Sequence, residues 1–222
     1  MPTQEVKRKL AAILSADVKG YSRLMGEDEE GTLQTLRSCK EVMIDLIRQY
    51  GGRVVGTAGD SLLVEFASVV DAVKCGVDIQ KELTACNVEL PEERRMEFRI
   101  GINLGDVIEE EDTIYGDGVN IAARGQSSAK GGGICISGTV YDQVEKKLKL
   151  GYEYLGEQTV KNIIKPIRVY RVQIDTEIAS AKMGEEAGCP SNSPEGIRGR
   201  YFFLDSICHN VVGKQGTFRI SR

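Results

Sequence analysis

The chain has no tryptophan, a single histidine and five prolines in 222 residues, and aromatic residues make up only 6%. Any His-rich zinc site or Ser-His-Asp arrangement would have to use the one imidazole, His209, so both kinds of chemistry are disfavoured. Positive charge is also short. Against 33 Asp and Glu there are 29 Lys and Arg, a net charge of −4, which argues against a groove that tracks a nucleic-acid backbone. No apolar stretch approaches the ~18 residues of a membrane span. The six cysteines (Cys39, Cys75, Cys86, Cys135, Cys189, Cys208) contain no CxxC pair. Cys39 and Cys75 lie in stretches of helical apolar periodicity, so a reduced, cytoplasmic setting fits better than a disulfide framework. With 41% hydrophobic and 28% charged residues the chain can still bury a core. An enzyme of this composition works with carboxylates, metal ions and cationic side chains.

The apolar run LAAILSA, between Glu5 and Asp17, reads as a buried first strand within residues 9–16 rather than a signal segment. Leu33, Leu36, Cys39, Met43, Leu46, Ile47 and Tyr50 recur at helical spacing from about Glu29, and Gly51-Gly52 ends that helix. RVVGTA and SLLVEF flank Gly59-Asp60 as a hairpin, and a second amphipathic helix runs from about Ser68 to Ala85. EFRIGINLG is the next strand, with DVIEE expected to pair back against it. A loop through Asp112-Thr113, a helix from about Gly118 to Ala129, the strand GICIS, a short helix and two late strands complete the pattern. This order predicts an α+β fold with a ferredoxin-like βαββαβ core and a C-terminal αβ extension. Residues 1–173 read as one domain. Residues 174–222, rich in Gly, Ser, Pro and charge, read as a largely disordered linker or tail.

Asp17 closes the first strand and Asp60 sits in the hairpin turn, and in such a core those two strands are neighbours. Two carboxylates at adjacent strand ends form a hard oxygen site suited to Mg²⁺ or Mn²⁺, although turn and strand-end chemistry alone also accounts for them. Gly20, just beyond Asp17, lets the backbone approach a ligand, and successive N–H groups there can cradle phosphates. Asn120 and Arg124 are four apart and project from one helical face, as they would on any solvated helix. GDG before that helix fails as a dinucleotide fingerprint because Ile121 stands where the third glycine is required. Lys161 by itself indicates only solvation.

Taken together, SADVKGYSRLMG, GGRVVGTAGDSLLVEF, FRIGINLGD, IYGDGVNIAAR and LGEQTVKNI resemble, in order and separation, the catalytic domain of class III nucleotidyl cyclases. The resemblance runs from about Lys9 to Val172 and is to the bacterial, Thr-containing subgroup. It implies that Asp17 and Asp60, with the Val18 carbonyl, bind two Mg²⁺ or Mn²⁺ ions. It implies that Gly20, Tyr21 and Ser22 surround the triphosphate and that Lys161 contacts phosphate. It implies that Asn120 orients the ribose and that Arg124 stabilises the transition state. It further implies a head-to-tail homodimer in which each site takes its aspartates from one chain and its Asn and Arg from the other. The substrate implied is ATP, giving cyclic AMP and pyrophosphate in intracellular signalling.

The two positions that read the purine depart from the family. Four residues before Asp60 the adenylyl cyclases typically carry Lys, and here stands Gly56; seven before Asn120 stands Thr113, which fits the Thr subgroup. A lost charged hydrogen bond to the base costs about 1.5–3 kcal/mol of selectivity. Gly125, directly after Arg124, costs the helix about 1 kcal/mol relative to Ala and predicts a less firmly held Arg. These departures leave a second reading open, a weakened or inactive nucleotide-binding or dimerisation module. AGDSL also echoes the diguanylate-cyclase signature, but Ser61 stands where that signature needs an acid.

Overall fold

The computed structural model describes residues 7–88, 90–159 and 166–174. The uninterrupted apolar run near the N-terminus is the middle of β1 (Lys7–Val18), which is buried on both faces. Ala12, Leu14, Ala16 and Val18 face the main core under two long helices, and Ala11 and Ile13 face a smaller cluster on the other side. Those helices are α2 (Glu29–Gln49) and α3 (Val69–Val88). The Asp28 side chain caps α2 by accepting from the Gly31 N–H at 2.9 Å, Glu29 and Glu30 occupy its first turn, and Gly51 follows in the left-handed region. A shorter helix, α1 (Tyr21–Glu27), precedes α2.

β1 pairs antiparallel with both β3 (Ser61–Phe66) and β4 (Phe98–Glu110), and β2 (Arg53–Ala58) adds to β3 as the expected hairpin. The order β2-β3-β1-β4 with two helices on one face is the ferredoxin-like arrangement. The extension joins through β6 (Ile134–Ser137), parallel to β4, then β8 (Ile167–Gln173) and β7 (Gly151–Gln158) at the far edge. The α+β expectation holds. One element differs. DVIEE does not turn back but continues β4, because β1 is long enough to pair with it: Ala11 faces Gly105 and Lys7 faces Glu109. The reversal comes later, at Glu111 (φ 54), and the residues expected as loop begin β5 (Thr113–Tyr115). The linker expected beyond Gln173 lies, from residue 175 on, outside the described residues.

α4 (Asp117–Ser128) lies on the sheet face opposite α2 and α3, packed against β4 and β1. Its inner stripe is Gly118, Ala122 and Gln126, and the strand beneath presents Gly101. A Cβ on Gly101 would overlap the Ala122 carbonyl oxygen and the Gln126 amide nitrogen, so helix and strand meet backbone to backbone. Two buried hydrogen bonds pin the helix: Ser15 Oγ to Gln126 Oε1 at 2.6 Å and Asn103 Nδ2 to the Gly118 carbonyl at 3.1 Å. The helix runs unbroken through Gly125, whose absent Cβ would sit 3.7 Å from Gly101 Cα, at ordinary contact distance. The position has room for a Cβ, so the helix cost of that glycine is not imposed by the strand beneath. Gly101→Ala should destabilise the fold by at least about 3 kcal/mol, as overpacking against rigid backbone does. Gly125→Ala should stabilise it by about 0.5–1 kcal/mol. Urea unfolding midpoints of the two variants check this opposite pair of signs.

Candidate active site

Asp17 lies one residue before the end of β1, directly across from Arg99 of β4. The guanidinium grips it with both arms, Nε to Oδ1 at 3.0 Å and Nη2 to Oδ2 at 2.8 Å. Asp60 follows Gly59 (φ 56) in the β2–β3 turn, and its Oδ2 accepts the Val18 N–H at 3.1 Å. The expected convergence of the two aspartates is thus present, joined through the Val18 amide. Lys40, reaching from α2, donates to the carbonyls on either side of Asp60, Gly59 at 2.7 Å and Ser61 at 3.3 Å. Burial pushes the Lys40 ammonium below its usual range, against the pull of Asp60.

The donor chemistry fits a hard divalent cation. Among the described residues no group of three or more His, Cys, Asp or Glu could cage a metal. Two carboxylates with substrate oxygens completing the shell is how Mg²⁺ is usually held. Arg99 meanwhile compensates Asp17, so a cation entering there has to displace a bidentate guanidinium.

Beyond Asp17, Gly20 adopts the left-handed conformation (φ 71, ψ 27), and its carbonyl accepts the Arg23 and Leu24 N–H groups as α1 starts. Gly20 and Ser22 are exposed, whereas Tyr21 packs its ring against the main core. Of that triad, the tyrosine side chain anchors the loop from beneath.

Asn120 and Arg124 are both exposed on α4. Ser128, the next position on their face, donates to Gln158 of β7 at 2.8 Å, so this face looks toward the β8–β7 edge. β1 is three strand steps from β8, roughly 14 Å at the usual strand spacing, and one more from β7. The aspartates lie at the end of β1 and in the β2–β3 turn, and the Asn-Arg pair lies on the exposed side of α4. A cleft of about 610 Å³, lined by Asn103, Gly105, Tyr115, Gly118, Thr139 and Arg168 among others, includes none of the four. Gly56 sits at a β-bulge in β2, and Thr113 opens β5, which touches β2. Gly56 has room for a Cβ, 3.5 Å from Leu63 Cβ. Lys161 lies outside the described residues.

Sequence reasoning missed Arg99 and Lys40. An arginine inside the apolar strand FRIGIN was a usable signal, since a charge there needs a partner. Lys40 gave none, as its role depends on where α2 crosses the turn.

The family model described as the adenylate and guanylate cyclase catalytic domain matches residues 4–173. A Rhizobium meliloti protein named "Putative adenylate cyclase 3" is 42% identical over 171 residues, covering 77% of this chain and 29% of that protein. The chain thus spans less than a third of that relative. The crystal structure of an adenylate/guanylate cyclase/hydrolase from Silicibacter pomeroyi superposes with a TM-score of 0.71 at 38% identity, covering 76% of this chain and 98% of the other. The guanylyl cyclase Cya2 superposes with a TM-score of 0.66 at 26% identity, covering 76% and 94%. Relatives of both purine specificities occur, so the names do not select the base. No helix among the described residues is long and apolar enough to cross a membrane.

Competition between Arg99 and a cation for Asp17 yields a measurable sign. Arg99→Gln should tighten Mn²⁺ binding to the nucleotide-free protein by roughly an order of magnitude, the worth of a lost charged hydrogen bond. Titration calorimetry with Mn²⁺ alone checks it, and unchanged or weaker binding would mean that the guanidinium does not guard the site.

Proposed function

This chain belongs to the family of adenylate and guanylate cyclase catalytic domains, and we propose that it converts ATP to 3′,5′-cyclic AMP and pyrophosphate at sites shared by two copies. The observation that carries the shared-site reading is the separation within one chain. Asp17 and Asp60 converge at the β1 end, whereas Asn120 and Arg124 face the β7–β8 edge. A head-to-tail pair brings the first half of one copy to the second half of the other, completing two sites.

Each side chain then has a defined task. The Gly20–Ser22 loop offers backbone N–H groups to the triphosphate, with Tyr21 holding the loop to the core. Asn120 orients the ribose so that its 3′-hydroxyl lies in line with the α-phosphorus. Arg124 meets the charge that develops on the phosphoryl oxygens, an electrostatic contribution commonly worth several kcal/mol. Lys161 is assigned a phosphate contact by resemblance alone. Asp17, Asp60 and the Val18 carbonyl would hold two Mg²⁺ or Mn²⁺ ions, which when bound acidify the 3′-hydroxyl and neutralise the triphosphate. Thr113 offers a hydroxyl to the base, and Gly56 offers nothing. The missing side chain at Gly56 is the observation that favours a second reading, a weakly active nucleotide-binding or dimerisation module. Signalling in the cytoplasm is the matching setting, in keeping with the free thiols of Cys39, Cys75, Cys86 and Cys135.

Incubating the protein with Mn²⁺ and either ATP or GTP, and identifying the product by mass, tests the reaction: cyclic AMP is expected to dominate. The shared site has its own test. Asp17→Ala and Arg124→Ala chains, each inactive alone, should recover activity on mixing, approaching half of wild type per heterodimer. In that heterodimer one site receives both defects and the other receives none. No recovery despite demonstrated chain exchange would place the whole site within one chain.

A further inference from the structure

On the sheet face that carries α4, four charged side chains cross four adjacent strands with alternating sign: Arg53 (β2), Glu65 (β3), Lys9 (β1) and Glu109 (β4). Lys9 Nζ reaches Glu65 at 3.1 Å and Glu109 at 2.9 Å. Arg53 goes further. Its Nε donates to Glu65 Oε1 at 2.8 Å, its Nη2 to Glu109 Oε1 at 2.7 Å, and its Nη1 lies 3.7 Å from Asp112 Oδ1 in the β4–β5 turn. Two arms of the fork thus donate to carboxylates on β3 and β4, strands separated by β1, while the third lies near the exposed Asp112 carboxylate at the turn.

A solvated row of ion pairs would carry little, because exposed pairs contribute little and hold no fixed geometry. This row differs in its burial: the Glu65 and Glu109 side chains are only 12% and 17% exposed. Lys7 and Lys9 hold the Glu109 carboxyl down at about 2, so it is charged at any working pH. On the same face, Val55 from the β2 bulge and Ile114 from β5 join one apolar cluster with Ile13, Val107 and Ala122 of α4. Polar bonds and apolar packing thus fasten the β4–β5 hairpin onto β2 together.

We infer that Arg53 is a positioning residue that latches the β4–β5 hairpin onto β2 and so sets how Gly56 and Thr113 are presented to the purine. Gly56 is three residues beyond Arg53, and Thr113 directly follows Asp112. With no side chain at Gly56, the base is read by backbone and by the Thr113 hydroxyl, and both depend on how those two strands are held. The inference rests on the proposed cyclase reading for the roles of Gly56 and Thr113. Lysine cannot replace the arginine here, since one ammonium on a flexible stem cannot serve three acceptors on two elements.

The test compares the full-length wild type with Arg53→Met, which keeps the apolar stem, Arg53→Lys, and Glu109→Gln, which keeps the shape and removes the charge. KM and kcat for ATP and for GTP are measured separately, with Mn²⁺ affinity in the absence of nucleotide as a control. The expected result is at least a threefold change in the ATP-to-GTP ratio of kcat/KM, carried mainly by KM. All three variants should show it, and Mn²⁺ affinity should not change. Arg53→Met combined with Glu109→Gln should be no worse than either alone. Unchanged KM and ratio in a folded Arg53→Met or Glu109→Gln protein would overturn the inference, as would unfolding of both, which would make the latch a stability element only. Should the wild type form no cyclic nucleotide, the cyclase reading fails on its own. The latch is then decided by equilibrium binding of fluorescent ATP and GTP analogues, where the same shift in preference is required.

Discussion

The close approach of α4 to β4 at Gly101 is the constraint on which the candidate site depends. Helices ordinarily stand off a sheet by the width of two side-chain layers. Here the Ala122 carbonyl and the Gln126 amide occupy the space of a missing Cβ. That contact fixes the height and the rotation of the helix together. With Gly118, Ala122 and Gln126 turned inward, Asn120 and Arg124, about half a turn away, project from the exposed side of the helix. Ser15 and Asn103 supply buried hydrogen bonds at the two ends of the same interface, so it has specificity as well as proximity.

Much of this was legible in the sequence, for identifiable reasons. The hairpin at Gly59-Asp60 was readable because its flanking strands are short, apolar and β-branched and the turn glycine needs a positive φ. α2 was readable from its period and its Gly51-Gly52 stop. The placement of Asp17 beside Asp60 followed once the strand order was granted, since β1 pairs with β3 in that order. Where reasoning failed, it failed on partnership. Nothing local in DVIEE says that it continues a strand; that depends on Lys7–Leu10 extending β1 far enough to pair with it. Arg99 and Lys40 act across elements distant in sequence, and no periodicity carries such contacts.

The two halves of the candidate site also differ in how their charge is held. At the aspartate half each carboxylate already has a partner, Arg99 for Asp17 and the Val18 amide for Asp60, and Lys40 braces the turn. At the α4 half Asn120 and Arg124 stand exposed. A chain by itself therefore carries one preorganised half and one solvated half. Preorganisation is worth most where charge must be concentrated, and carboxylates brought together without compensating cations would repel one another. If a nucleotide is bound as proposed, burying the solvated half against it would strengthen every contact that Arg124 makes.

That asymmetry bears on how the purine is recognised. In the proposed reading the aspartates act through the cations they would hold and are indifferent to the base. Discrimination between adenine and guanine would then fall to Gly56 and Thr113, which contribute one hydroxyl and no charge. A single neutral donor-acceptor tolerates either base edge unless its position is tightly constrained, because a small shift lets it exchange donor for acceptor. Selectivity at such a site has to come from rigidity rather than from added functional groups. The half-buried charge row from Arg53 to Glu109, beside the apolar cluster that joins Val55 and Ile114, is where the proposed latch would supply that rigidity.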